Sequence, residues 1–203
     1  MAASATRDSV AGAATAPATG ATMGGPAAPS RHRQGHAAPR PVPYRVGCQP
    51  AGLRLAWGPR LSQATSQETL ILTLTNISGA GCDLQGYPGL SLLDRAGLAL
   101  QFTVRWGGTQ MLTTSAPVLV PLAPGGTAYL GITKWACVGH WDGVAHTFQV
   151  IPPGDYQPLS LTTARYPVVG YCPPGDPGHT VNVSPVEPSL RRVLNGHLTG
   201  ASR

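Results

Sequence analysis

Leu70, Leu72 and Leu74 alternate with Thr69, Ile71, Thr73 and Thr75 in the stretch ETLILTLTNISGAGCDLQGYP, residues 68–88. An apolar period of two does not fit a helix face, which repeats about every 3.6 residues, and it predicts a strand with one side against a core. Asn76-Ile-Ser-Gly-Ala-Gly then breaks the strand, because Asn and Gly tolerate the positive φ that a reversal needs. Cys82 follows the turn, and a second strand is expected to begin near Leu84.

The same texture recurs along the chain. Leu53, Leu55 and Trp57 alternate with Arg54 and Ala56. Residues 90–93 run into an Asp-Arg-Ala-Gly turn, and Leu100, Phe102, Val104 and Trp106 alternate with polar residues as a half-buried strand would. Residues 118–120 lead into a tight reversal over 121–126, after which Ala128, Leu130 and Ile132 share one face. Phe148 with Val150, Leu159 with Leu161, and Val181 with Val183 mark the remaining strands, while 137–146 reads as a loop and 189–194 as one helical turn. Gly 26 and Pro 21 of 203 residues supply the punctuation. About eight short strands without a core helix predict an all-β domain, an antiparallel β-sandwich or Greek-key barrel, over residues 46–186.

Residues 1–45 read differently. They form an Ala/Pro/Gly/Thr tract with no apolar periodicity, predicted to be a disordered basic tether, with 187–203 as a C-terminal tail. His32 and His36 lie in that tract, four apart but without a helix to align them. The tract has no apolar signal-peptide core, and nothing in the chain approaches the roughly 18 apolar residues of a membrane span. Arg45 and two prolines ahead of Cys48 argue against a lipid-anchor site there.

The net charge of +6 divides unevenly: +4 in residues 1–45, +2 in 187–203 and zero between. A folded domain that grips phosphates concentrates basic residues on its own surface, so no nucleic acid is expected for this domain. Contact with an acidic polymer through the tails is the alternative that the charge pattern leaves. There is one lysine, Lys134, against thirteen arginines, a bias that with so much Ala, Gly and Pro hints at a GC-rich genome.

Cys48, Cys82, Cys137 and Cys172 all lie in the neutral segment, and none forms the close pair of a structural zinc site. An even, well-spaced set in a β-rich chain predicts two disulfides and an oxidising compartment. Three connectivities are possible. The sequential one, Cys48 with Cys82 and Cys137 with Cys172, is favoured, each closing a loop of about 35 residues and contributing about 3–4 kcal/mol.

Around the first strand the chain resembles domain-of-unknown-function family 4232, found in exported and membrane-tethered actinobacterial proteins. The resemblance rests on Cys48, Thr75-Asn76, Cys82-Asp83-Leu84-Gln85-Gly86-Tyr87-Pro88, residues 90–93 and the turn at 94–97. The Pro-Gly turn and Ala-containing strand at 122–128, and Cys172 ahead of a Val-rich strand, extend it over residues 46–186. It implies an immunoglobulin-like sandwich outside the cytoplasm and no assigned activity.

The most site-like stretch is WACVGHWDGVAH, 135–146. His140, Asp142 and His146 have a spacing that a loop could fold into a metal triad for an enzyme. No second acidic residue stands nearby as a base, so no catalytic residue, cofactor or metal is expected. The favoured reading of these tryptophans is plain packing over the sandwich edge; the binding reading makes Trp106, Trp135, His140 and Trp141 an exposed surface for an envelope glycan or protein. The Gly-Tyr-Pro corner reads as structural, with Gly86 bending, Tyr87 capping the core through a hydroxyl bond to backbone, and Pro88 fixing the exit. No Gly-x-Ser-x-Gly elbow or phosphate loop is present. The sequence thus points to a non-enzymatic, extracytoplasmic binding or structural module.

Overall fold

The structure, a computed structural model, describes residues 47–61, 66–109, 111–164 and 167–194. The tether expected over 1–45, with His32 and His36, and the tail beyond 194 lie outside the described residues.

Among the described residues twelve strands follow in chain order: β1 (Leu53–Trp57), β2 (Gln67–Asn76), β3 (Cys82–Leu84), β4 (Gly89–Leu93), β5 (Thr103–Trp106) and β6 (Val120–Leu122), then β7 (Thr127–Trp135), β8 (Gly143–Ala145), β9 (Thr147–Ile151), β10 (Leu159–Thr162), β11 (Val169–Tyr171) and β12 (Thr180–Val183). A single helical turn, α1 (Leu190–Val193), comes after them. The largest sheet has the order β1-β2-β7-β12-β5, and β10-β9-β4 with the two-stranded pairs β3-β6 and β8-β11 supplies the facing layer. The fold is an all-β sandwich, antiparallel except where β12 runs parallel to β5.

The alternation in β2 does what its period dictates. Leu70, Leu72 and Leu74 turn inward, opposite Ile132, Leu130 and Ala128 of β7. Leu92, Phe148 and Val150 close over them from the facing layer, with Trp57 edge-on to Phe148 at 5.0 Å. Each such buried side chain contributes about 1.5–3 kcal/mol. On the other face the threonines pair across the ladder, Thr69 with Thr133 and Thr75 with Thr127, hydroxyl to hydroxyl at 3.0 Å.

The outer face is covered too. Ile71 packs under Leu112, Val193 and Leu194, so residues 187–194 form a strap over the sheet. Gly131 lies opposite Ile71, and a side chain there would collide with Leu112 and Val193. Glu187 fixes the start of the strap: its backbone exchanges two hydrogen bonds of 2.8 Å with Tyr129, and its fully buried carboxylate accepts from Arg192 Nε at 2.7 Å.

Four expectations need correction. The turn after β2 does not use positive φ at Asn76, which stays extended within the strand. The Asn76 side chain builds the turn by hydrogen bonds instead: its amide donates to the Ala80 and Leu122 carbonyls at 2.8 and 3.1 Å, and its oxygen accepts from the Ser78 N–H at 2.9 Å. Second, β5 is not half-buried. Its residues are exposed on both faces because it is the open edge of the sheet and the facing layer stops short of it. Third, the reversal expected over 121–126 begins inside a strand: β6 runs through Pro121, where a missing N–H is tolerated opposite Asp83 in a two-stranded pair. Fourth, the 137–146 loop contains β8, which pairs with β11. Tyr87 caps by stacking on Trp106, centroids 5.8 Å apart, and among the described residues its hydroxyl has no hydrogen-bond partner.

The disulfides are Cys48–Cys82 and Cys137–Cys172, the sequential pairing. The first joins the start of the domain to β3, beside the bond from the Cys48 N–H to the Asp83 carbonyl at 3.1 Å. Replacing both cysteines of this pair by serine is expected to lower the unfolding free energy by about 3 kcal/mol, read from the urea midpoint. An unchanged midpoint would mean that the backbone bonds there hold the ends together unaided.

Candidate functional site

β7 ends at Trp135 beside β12, and the next residues enter the second disulfide. The Ala136 N–H donates to the Ser66 carbonyl at 2.7 Å, and Cys137 then bridges to buried Cys172. Asp176 clamps the loop that follows. One of its oxygens accepts from the Gly178 N–H at 2.8 Å and the other from the Val138 N–H at 2.9 Å. Chiefly the Gly178 N–H, with those of Val138 and Gly139 and the Lys134 ammonium, holds this carboxyl below the ordinary aspartate value against an opposing desolvation cost. His179 Nδ1 bonds the Cys172 carbonyl at 2.9 Å, and its ring packs by Tyr171, which meets Phe102 edge-on at 4.9 Å. The loop is thus fixed by the disulfide and by hydrogen bonds to the Ser66 carbonyl and the Asp176 carboxylate before it reaches His140.

The β8–β11 ribbon carries the exposed part. Ala145 and Val169 pair and face the core, so their neighbours Val144 and Gly170 face outward. The Trp141 indole lies on Gly170, where an added Cβ would come within 2.5 Å of the ring. Glycine at 170 is therefore the residue that lets the ring seat flat. Trp141 remains 50 % exposed, flanked by the exposed side chains of Val144 and Val168. At its rim His140 Nε2 meets Asp142 Oδ1 at 2.9 Å, with the His140 side chain 77 % exposed.

The structure thus brings together Trp141, His140 and Asp142 but not the rest of the stretch. His146 Nε2 faces the Arg95 guanidinium, Nη2 at 3.0 Å and Nε at 3.2 Å, and since arginine only donates, this nitrogen is an acceptor there. The proposed His140–Asp142–His146 triad does not converge. Among the described residues one trio brings its ligand atoms within 4.8 Å, Cys137, Cys172 and Asp176, and its two sulfurs are bonded to each other. Trp135 is partly exposed at the end of β7, whereas Trp106 lies at the end of β5, opposite Val183. Gly170, Val144, Val168 and Asp176 are the residues that sequence reasoning missed; the run Val168-Val169-Gly170-Tyr171 after Pro167 was the available strand signal.

Beneath the site, Lys134 and Glu68 point inward from β7 and β2, Nζ to Oε2 3.7 Å. Burial holds the Lys134 ammonium below its ordinary value and pushes the Glu68 carboxyl up, each charge only partly offsetting the other's penalty.

The comparison with protein families matches residues 48–187 to the Domain of unknown function (DUF4232). The chain belongs to that family. No curated protein and no solved structure matches it. The matched span takes in both disulfides of this DUF4232 domain, the Trp141 ledge and the Glu187 anchor of the strap.

Two outcomes follow from these contacts. Lys134→Met with Glu68→Gln is expected to raise stability at neutral pH by about 1–2 kcal/mol, because a neutral pair escapes the burial cost. A lysine whose folded value is lowered costs stability below that value and is relieved as pH climbs toward the ordinary one, so the gap narrows in alkali. A double variant less stable at every pH in chemical denaturation would show that attraction outweighs burial. Gly170→Ala is expected to lift the indole, red-shifting the tryptophan emission and raising its quenching by acrylamide while costing about 1 kcal/mol or less; an unchanged spectrum would mean that the ring does not rest on residue 170.

Proposed function

We propose that this DUF4232 domain is a non-enzymatic binding module of the cell envelope, acting outside the cytoplasm, with the Trp141 ledge as its contact surface and the 1–45 segment as a tether. One observation carries the reading: a half-exposed indole seated on a glycine, in a loop held by the Cys137–Cys172 disulfide and the Asp176 clamp. An aromatic ring held rigid loses little freedom on binding, so its contact energy goes into affinity. Two disulfides support an oxidising location, where such bonds persist.

The test is co-sedimentation of the full chain with cell-wall material from its own host. The wild type is expected to sediment, Trp141→Ala to lose at least tenfold in retention at unchanged thermal midpoint, and Trp106→Ala to behave as wild type. Retention that survives Trp141→Ala would move the contact surface elsewhere, and no retention of the wild type would end the envelope-binding reading.

A further inference from the structure

We propose that the Trp141 ledge takes a neutral sugar ring, specifically a gluco-configured unit of a glucan or an N-acetylglucosamine polymer. This rests on the binding-module reading above and adds the ligand's chemistry.

The shape comes first. The surface is one half-exposed indole face seated on Gly170, with exposed Val144 paired opposite Gly170 and exposed Val168 two residues before it. A flat ledge suits a flat partner. A gluco-configured pyranose in its chair form directs its C–H bonds along the axis above and below the ring, and its hydroxyls lie around the equator. Its apolar face matches an indole, whose π cloud is negative and attracts polarised C–H groups.

The rim supplies the polar half. His140 and Asp142 flank Trp141 in sequence and bond each other through Nε2 and Oδ1, which orients both. Among the described residues His140 Nδ1 and Asp142 Oδ2 make no hydrogen bond, so the pair flanking Trp141 in sequence presents a nitrogen and a carboxylate oxygen. A carboxylate accepts from adjacent equatorial hydroxyls, the contact that a sugar offers when its face is already stacked.

Charge selects against the other polymers. Among the described residues no lysine or arginine occurs between 135 and 190; Arg165 lies outside the described residues. Lys134 is buried beneath the ledge, and Arg95 is engaged with His146. Asp142 beside the ring repels a polyanion, which favours a neutral sugar over phosphate-rich or uronic polymers. The ledge's contact area is one indole and two valines, so affinity for a single unit is weak and gains come from repeated units on one polymer.

The measurement is titration of the full-length protein with cellotetraose and with tetra-N-acetylglucosamine, followed by tryptophan emission and calorimetry, with hyaluronan oligosaccharide as the anionic probe. Wild type is expected to bind at least one neutral tetrasaccharide with a blue shift and to ignore the anionic one. Trp141→Ala is expected to lose at least tenfold, and Trp141→Phe less. Asp142→Asn and His140→Ala are expected to lose about three- to tenfold, and Trp106→Ala nothing. Gly170→Ala, which keeps every contacting side chain but tilts the ring, should also weaken binding. No binding to either neutral sugar, or binding indifferent to Trp141, overturns the inference. Cell-wall retention that depends on Trp141 but is not competed by the neutral tetrasaccharides would sink the sugar while leaving the binding-module reading standing; loss of retention altogether would sink both.

Discussion

The nine cross-strand pairs from Gln67↔Trp135 to Thr75↔Thr127 hold the rest of the molecule in place. This is a long-range pairing, more than fifty residues apart in the chain at every step, and its loop-closure entropy is offset only because both of its faces are covered. The inner face receives Phe148, Leu92 and Val150, and the outer face receives Leu112 and the strap that begins at Glu187. Strands β1 and β12 add to its two sides, and β5 is reached only through β12.

Each end of this ladder has its own clamp. At one end Asn76 is fully buried, and its amide ties β2 to the turn and to the Leu122 carbonyl, while Cys48–Cys82 staples the chain entry to β3. At the other end the ladder stops at Trp135, and the second disulfide, the Asp176 clamp and the β8–β11 ribbon take over. The ledge is thus built where the regular hydrogen-bonding ends. The β2–β7 ladder does not reach there, and the ring rests on Gly170 of the β8–β11 ribbon, beside the second disulfide and the Asp176 clamp.

Much of this was legible in the sequence wherever a strand faced water on one side. The leucines of β2, the valines of β12, and Phe148 with Val150 show the alternation plainly, and the four cysteines pair as sequence neighbours. What was not legible has a common cause. β8 and β11 are three residues each, too short for a period to declare itself, and their outward positions are a valine and a glycine rather than polar residues. β5 carries the alternation of a buried strand, but its burial depends on whether a facing layer reaches it, which no local pattern encodes. Asn76 was marked correctly as the end of β2, for its tolerance of positive φ, when its work is done by side-chain hydrogen bonds. In the site the sequence singled out Trp141, His140 and Asp142, yet the glycine that seats the ring comes from a strand nearly thirty residues later, a relation visible only in space.

The order of the cysteines along the chain has a consequence for biosynthesis. The Cys48–Cys82 loop closes completely before Cys137 begins the second, so the two rings neither interlock nor overlap. A chain that emerges from its N-terminus into an oxidising space exposes Cys48 and Cys82 together while Cys137 and Cys172 are still behind. Each thiol then meets its native partner first, and vectorial emergence does the sorting that a crossed connectivity would leave to repeated rounds of disulfide exchange.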